Sequence, residues 1–281
     1  MIRLNAVPLD YAPRQKILSA LSAHGSGLEN LFLTTEFDLA FLCGLLKTFR
    51  PRKIVEVGVA AGASTVTMLQ ALEDSGERYE MHSVDLFARQ KVYRNEPTGF
   101  LATLAKERIF GTLKGTHEFH FGKILPQVID EIGGDVDFVF LDTVHRLPGE
   151  VLDFLAVLPY LTDDAVVVLH DVALHHRENP KDDATGVLFG AVTANKFLNF
   201  QADSELFRYP NIGAFQVNEH TAAYVENVFL SLILRWDYWP TDEQVAVYRE
   251  HFRRFYADAL VEIFQEAVDM NGYNLLTQNR V

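Results

Sequence analysis

The chain has 281 residues and is poor in three things: cysteine, basic charge and long apolar runs. Cys43 is the single cysteine, which excludes an intramolecular disulfide framework and a cysteine-based zinc cluster. It lies in the apolar run from Leu39 to Leu46 and is expected to be a buried thiol. Lysine and arginine number 25 against 38 aspartates and glutamates, a formal net charge of -13. That balance speaks against a polyanion partner such as nucleic acid, and no basic cluster is longer than Arg253-Arg254. No apolar run approaches the ~20 residues that span a bilayer. The opening MIRLNAVPLD lacks the basic-then-apolar order of a secretion signal. The expectation is a cytoplasmic protein with no membrane partner. Two phosphate-binding signatures are missing as well. There is no G-x-G-x-x-G after a strand and no G-K-[ST] ending to a glycine loop.

What is present centres on residues 53–65, KIVEVGVAAGAST. Ile54, Val55 and Val57 have strand character, the chain then turns through Gly58 and Gly62, and Ser64 onward reads as a helix start. A strand, a glycine turn and a helix in that order bring backbone close to a ligand and aim free N–H groups at it. The spacing is E-x-G-x-x-x-G, from Glu56 through Gly58 to Gly62.

Strands and helices alternate after this point. Expected strands cover residues 80–86, 118–121, 137–141 and 165–169, with helices near 64–73, 98–110, 126–132 and 150–158 between them. DFVFL and AVVVL are continuously apolar, as in strands covered on both faces. The pattern predicts a doubly wound, mostly parallel, seven-stranded α/β sheet with helical additions at both ends. Residues 1–34 read as an N-terminal extension, 35–220 as the main domain and 221–281 as a C-terminal helical appendage. A strand at 196–201 and a last strand at 211–217 are expected, with a helix near 187–195. Thr241 and Gln244 form a capping box that opens one long amphipathic helix to about Val268.

Three acids stand at strand ends: Asp85 in HSVD, Asp142 in DFVFLD and Asp171 in AVVVLHD. Ligands in open α/β sheets bind beyond these carboxyl ends. Asp85 is placed to accept both hydroxyls of a ribose, the structural alternative being an Asp that forms the turn. Asp142 and Asp171 should face one crevice, with His145 three residues after the first and His170 directly before the second. Two Asp and a His suit a hard or borderline divalent cation. The structural alternative for both histidines is a polar edge residue bonded to loops. His175 and His176 could extend such a cluster or belong to a polar loop. The loop from Arg177 to Asp183 is expected to act as a lid, and Trp236, Tyr238 and Trp239 either stack on an acceptor or join a core or interface.

From Glu36 to Val217 the chain resembles a class I S-adenosylmethionine (SAM) methyltransferase, on the motifs VEVGVAAGAS, SVDL, FGKILPQVIDEI and DFVFLDTVHRLPGEVLDFLAVLPYLTDDAVVVLHDV. The last segment is similar to the metal-assisted branch that methylates hydroxyls of sugars and other small molecules. The resemblance implies that Glu56, Gly58, Ala60, Gly62 and Ser64 line the methionine end of SAM. It implies that Asp85 binds the ribose, that Phe87, Gly122 and Lys123 border the adenine, and that Asp142 lies against the cofactor. Asp142, His170 and Asp171 fall at metal-ligand positions, and His145, with Asp142, falls at the catalytic base. His170 departs from the branch, which has a carboxylate there. Mg²⁺, a softer ion such as Mn²⁺ or Zn²⁺, and no ion at all are the alternatives this leaves.

The function expected is SAM-dependent O-methylation of a small-molecule or glycan acceptor, in a chain that pairs as a homodimer. Two rivals stand beside it. One is a SAM-binding scaffold or regulator without transfer activity. The other is an NAD-type oxidoreductase, disfavoured by the missing glycine fingerprint.

Overall fold

Strand β2 (Lys53–Val57) forms the centre of the sheet because its residues are apolar on both sides: Ile54 and Val55 are fully buried against opposite layers. The computed structural model describes residues 4–89, 96–176, 179–199 and 210–278. In chain order the strands are β1 (Leu4–Asn5), β2, β3 (Glu80–Asp85), β4 (Thr116–Phe121), β5 (Val136–Leu141), β6 (Leu161–His170), β7 (Asn195–Phe197) and β8 (Ile212–Gln216). They form one sheet in the order β1-β7-β8-β6-β5-β2-β3-β4. The pairs from β4 through β6 are parallel, and β8 runs antiparallel to both β6 and β7. These are the expected seven strands. The two-residue β1, from the N-terminal segment, adds an eighth by pairing with β7.

Eleven helices accompany the strands in the described residues. On one face lie α1 (Ala12–Ser22), α2 (Glu36–Phe49), α3 (Ala63–Ser75) and α4 (Phe100–Ala105). On the other lie α5 (Ile129–Ile132), α6 (Gly149–Val157), α7 (Ala184–Ala191), α8 (Glu219–Ala223), α9 (Glu226–Ser231), α10 (Asp242–Phe255) and α11 (Asp258–Gln278). Alternation along the strands sorts the core into these layers. Val139 and Leu141 of β5 face the second layer, Phe138 and Phe140 the first. α2 starts at Glu36 because Thr35 caps it, its side chain accepting the Asp38 N–H at 3.1 Å.

The C-terminal helix differs from expectation. It is two helices, broken where Tyr256 turns extended at φ −119° and ψ 152°. The apolar period continues across the break, so periodicity alone joins them. The Tyr256 hydroxyl is drawn instead to the Leu155 carbonyl of α6 at 2.6 Å, and Asp258 opens the next helix with a charge suited to its N-terminus. α4 is also shorter than expected and gives way to a π-helical turn over Lys106–Phe110. The end of the expected strand at Gln201 and the start of the expected lid, Arg177 and Glu178, lie outside the described residues. No helix among the described residues is long and apolar enough to cross a membrane.

The chain runs from β2 outward to β3 and β4, then returns to β5 on the other side of β2. This reversal opens a crevice beyond the carboxyl ends of β2 and β5.

Candidate active site

Gly58 follows β2 with φ 91°. A Cβ at this position would fall 1.8 Å from the carbonyl oxygen of Asp142, so only glycine lets the turn pass over the end of β5. Gly62, at φ 88°, heads α3 and donates its N–H to Val59 O at 2.8 Å. Ala63 and Ser64 of the first turn of α3 line the crevice.

Two buried carboxylates build the turn from behind. Asp85 Oδ2 accepts the N–H groups of Val59 (2.9 Å) and Ala60 (3.1 Å), and Oδ1 accepts that of Phe87 (2.8 Å). Three of about four acceptor sites of a carboxylate are thereby committed to backbone. The remaining one is on Oδ1. Glu56 is fully buried and accepts from Ser64 Oγ (2.7 Å), Thr65 Oγ1 (2.8 Å) and Ser83 Oγ (2.6 Å). Burial pushes its carboxyl up to about 7, against the pull of those three hydroxyls. Glu56 touches neither cavity of the crevice; it ties β2 to α3 and β3.

The crevice divides in two. The first cavity is bordered by Asp85, Phe87, Lys123, Leu125, Tyr238 and Tyr248. Phe87 stands 59% exposed at its mouth. Gly122, just before Lys123, donates its N–H to Asp85 O at 2.9 Å and has open space where a Cβ would be. The second cavity is bordered by Asp38, Ser64, Asp142, His145, His170 and Asp171. Gly58, Val59, Ala60, Asp142 and Thr143 border both.

The second cavity concentrates charge. The parallel register pairs Leu141 with Leu169, so Asp142 and His170 emerge side by side. His170 Nδ1 lies 3.3 Å from Asp142 Oδ1 and 3.2 Å from Asp171 Oδ2, and its Nε2 lies 3.4 Å from Asp38 Oδ2. Burial opposes a charged imidazole here, but the carboxylates outweigh it and hold His170 well above the usual histidine range. Burial pushes Asp171 up, and His170, His145 and the 2.6 Å hydrogen bond from Asn211 bring it down to about 2. His145 Nδ1 is 3.4 Å from Asp171 Oδ2, 3.6 Å from Glu150 Oε1 and 3.9 Å from Asp142 Oδ1. Burial lowers the His145 pKa, yet these three carboxylates raise it above the ordinary value. His145 and Asp171 both sit at φ 62°, a left-handed backbone uncommon outside glycine, and such strain gathers at functional sites.

Asp142, His170 and Asp171 each offer a ligating atom, all within 4.8 Å of one another. Both nitrogens of His170, Nδ1 of His145 and Oε2 of Glu150 are buried without a hydrogen-bond partner. Buried nitrogen and oxygen atoms without a hydrogen bond, beside two carboxylates, fit a cation that takes the place of the His170 proton. The rings of His175 and His176 lie close together at a tilt of 42°, centroids 3.9 Å apart, and do not join that cluster. Of the lid segment, Asp182 accepts from Arg146 Nε at 2.7 Å and Lys181 pairs with Asp237 at 3.2 Å. Tyr238 borders the first cavity, while Trp236 is buried and packs against Trp239 at 5.2 Å between ring centroids.

Four participants were not anticipated. Asp38 reads as a first-turn helix acid, and only the fold carries it over the sheet to His170. Glu150, fully buried, accepts the backbone N–H groups of Thr143 (3.2 Å) and His145 (2.7 Å) and so sets the His145 loop. Asp153 accepts from the Tyr248 hydroxyl at 2.7 Å at the wall of the first cavity. A signal existed for two of them: Glu150 and Asp153 are acids three apart in an otherwise apolar helix.

A family model described as a methyltransferase domain matches residues 55–172. Similar solved structures include the O-methyltransferase TomG from Streptomyces achromogenes, involved in tomaymycin synthesis and bound to SAM. It is 19% identical, with 75% of this chain and 92% of that one covered and a TM-score of 0.48. An O-methyltransferase from Bacillus cereus with S-adenosylhomocysteine (SAH) is 16% identical, covering 73% and 90%, with a TM-score of 0.46. SAH-bound PaMTH1 from Podospora anserina is 10% identical, covering 73% and 87%, also with a TM-score of 0.46. These are distant likenesses. No curated protein matches the chain. The family match runs from β2 through the glycine turn to the acids that follow β5 and β6, and over residues 55–172 the chain is similar to a methyltransferase domain.

Proposed function

We propose that this chain moves the methyl group of SAM to a hydroxyl of a sugar or another small molecule, with the cofactor in the first cavity and the acceptor in the second. The observation that carries the reading is Asp142: it borders both cavities, with His145 beside it. Of the five residues that border both cavities, it alone carries a charge.

Bound SAM supplies an electrophilic methyl on its sulfonium. The chain's own part is position and proton transfer. Gly58 leaves backbone room at the crevice floor, and the free acceptor site on Asp85 Oδ1 suits a ribose hydroxyl. Phe87 and Lys123, which border the first cavity, would lie at the adenine end. Glu56 acts through Ser64, whose hydroxyl it holds at the head of α3. His145 takes the acceptor's proton. Its Nδ1 faces Asp171 and Glu150, which favours the proton on Nδ1 and leaves the Nε2 lone pair free.

Asp142, His170 and Asp171 would hold a divalent cation, which at that place lowers the pKa of an acceptor hydroxyl. One nitrogen and two carboxylates suit Mn²⁺ or Zn²⁺ as well as Mg²⁺.

The test is calorimetry with SAH followed by turnover against a panel of sugar and aromatic hydroxyls, read as SAH released. His145→Ala is expected to bind SAH as wild type does and to lose turnover. Failure of the wild type to bind SAH would overturn the cofactor assignment. An unchanged rate in His145→Ala would overturn the base.

A further inference from the structure

We propose that His82, Glu118 and His120 form a second, separate site, for a borderline divalent cation of the zinc class, which clamps the edge strand β4 to β3.

The placement follows from the sheet. β3 and β4 are parallel, His82 is paired with Glu118 and Val84 with His120. Side chains alternate along a strand, so His82, Glu118 and His120 all project from one face. The three offer ligating atoms within 4.8 Å of one another. His82 and His120 are 8% and 6% exposed, whereas Glu118 is exposed. Two buried imidazoles with an open carboxylate make a three-ligand set whose fourth position faces water.

The imidazoles are already aimed. His82 Nδ1 and His120 Nε2 are 3.1 Å apart. Two nitrogens bound to one tetrahedral ion at about 2.0–2.1 Å stand roughly 3.3 Å apart, so the pair needs only a small spread. Glu80 Oε1 lies 2.7 Å from His82 Nε2. A carboxylate there keeps the proton on Nε2 and leaves the Nδ1 lone pair directed at His120, the arrangement by which metal-bound histidines are oriented. On binding, the ion replaces the proton between the two rings, and His120 carries its proton on Nδ1 instead. No oxidant or other reactant is needed.

None of the three residues borders either cavity of the crevice. The role is therefore mechanical. Val84 of β3 and Lys123 beyond β4 border the first cavity, and the site lies just below both along these strands.

The experiment uses untagged full-length protein stripped with chelator and dialysed. Asp142→Asn/Asp171→Asn is introduced first, to silence the crevice cluster, and Zn²⁺ is titrated by calorimetry and by thermal melting. We expect one equivalent bound, with a Zn²⁺-dependent rise in Tm. Glu118→Gln, an exposed change that leaves the fold intact, should weaken binding at least tenfold, and His120→Gln should abolish it. Glu80→Gln should weaken it by about 10–100-fold without removing any ligand. No Zn²⁺ binding in the double variant would overturn the proposal and leave only a His82–His120 hydrogen bond. Binding undiminished by Glu118→Gln and His120→Gln would overturn it too. Neither result bears on methyl transfer.

Discussion

The Tyr248 hydroxyl donates to Asp153 Oδ1 at 2.7 Å and so fastens α10 to α6 at the wall of the first cavity. Burial pushes the Asp153 carboxyl up to about 7, while Tyr248 and Thr143 pull it the other way. The sign follows: a carboxyl with a raised folded pKa contributes stability that is full below its unfolded value, about 4. That contribution is lost as pH rises through the folded value. Urea unfolding of wild type and Asp153→Asn should therefore diverge between about pH 4 and 7, wild type losing stability relative to the variant. Tyr248→Phe removes a donor to the ionised form and should carry the loss to higher pH. Equal pH slopes in wild type and Asp153→Asn would refute this.

Asp85 holds the glycine turn before it holds any ligand. Asp85→Ala should cost about 1–3 kcal/mol of stability through the orphaned N–H groups of Val59 and Ala60, and lower SAH affinity at least tenfold. Asp85→Asn keeps an acceptor and should fall between. Denaturation and SAH calorimetry on the same preparations read both effects, and a fall in affinity without loss of stability would deny the turn-holding role.

Two glycines with similar dihedral angles should behave differently. Gly58→Ala meets the Asp142 carbonyl at 1.8 Å as well as the left-handed backbone, and should cost on the order of 3–5 kcal/mol. Gly122→Ala has open space, so only the backbone preference acts, about 1–2 kcal/mol. Similar Tm values for the two variants would show that the close approach over β5 is relieved in solution.

Glu56 is expected to be structural. Glu56→Ala leaves the hydroxyls of Ser64, Thr65 and Ser83 without their buried acceptor and should cost on the order of 3 kcal/mol. Glu56→Gln retains one carbonyl for rotated hydroxyls and should be milder. Thermal melts rank the three proteins; a Glu56→Ala variant as stable as wild type would sink the assignment.

Local chemistry made half of the site readable in advance. Gly58 was visible because a strand, a turn and a helix share one short segment. Asp142 and Asp171 were visible because continuous apolar strands end in acids, and the β5/β6 register then brings Asp142 beside His170. Asp38 and Tyr248 were not, since each reaches the crevice from across a layer: Asp38 from the face of α2, Tyr248 across 95 residues of chain to Asp153. Glu56 and Asp85 were legible as residues and illegible as partners. Nothing in EVG or SVD says that three hydroxyls converge on one carboxylate and three backbone N–H groups on the other. The break at Tyr256 escaped because a hydroxyl reaching α6, not a helix-stopping residue, decides it.

Tyr238, Pro240, Gln244 and Tyr248 form one wall of the first cavity. A ribosome delivers them after every other residue of that cavity. The glycine turn, Asp85 and Asp142 emerge earlier and can assemble with their sheet, because domains tend to fold from the N-terminal side during synthesis. Through that interval the nascent chain has the cavity floor and an open side. Retention of the cofactor proposed for this cavity would then be the last property acquired in biosynthesis, and a polypeptide severed between α9 and α10 is expected to keep its sheet and to bind SAH more weakly than the full chain.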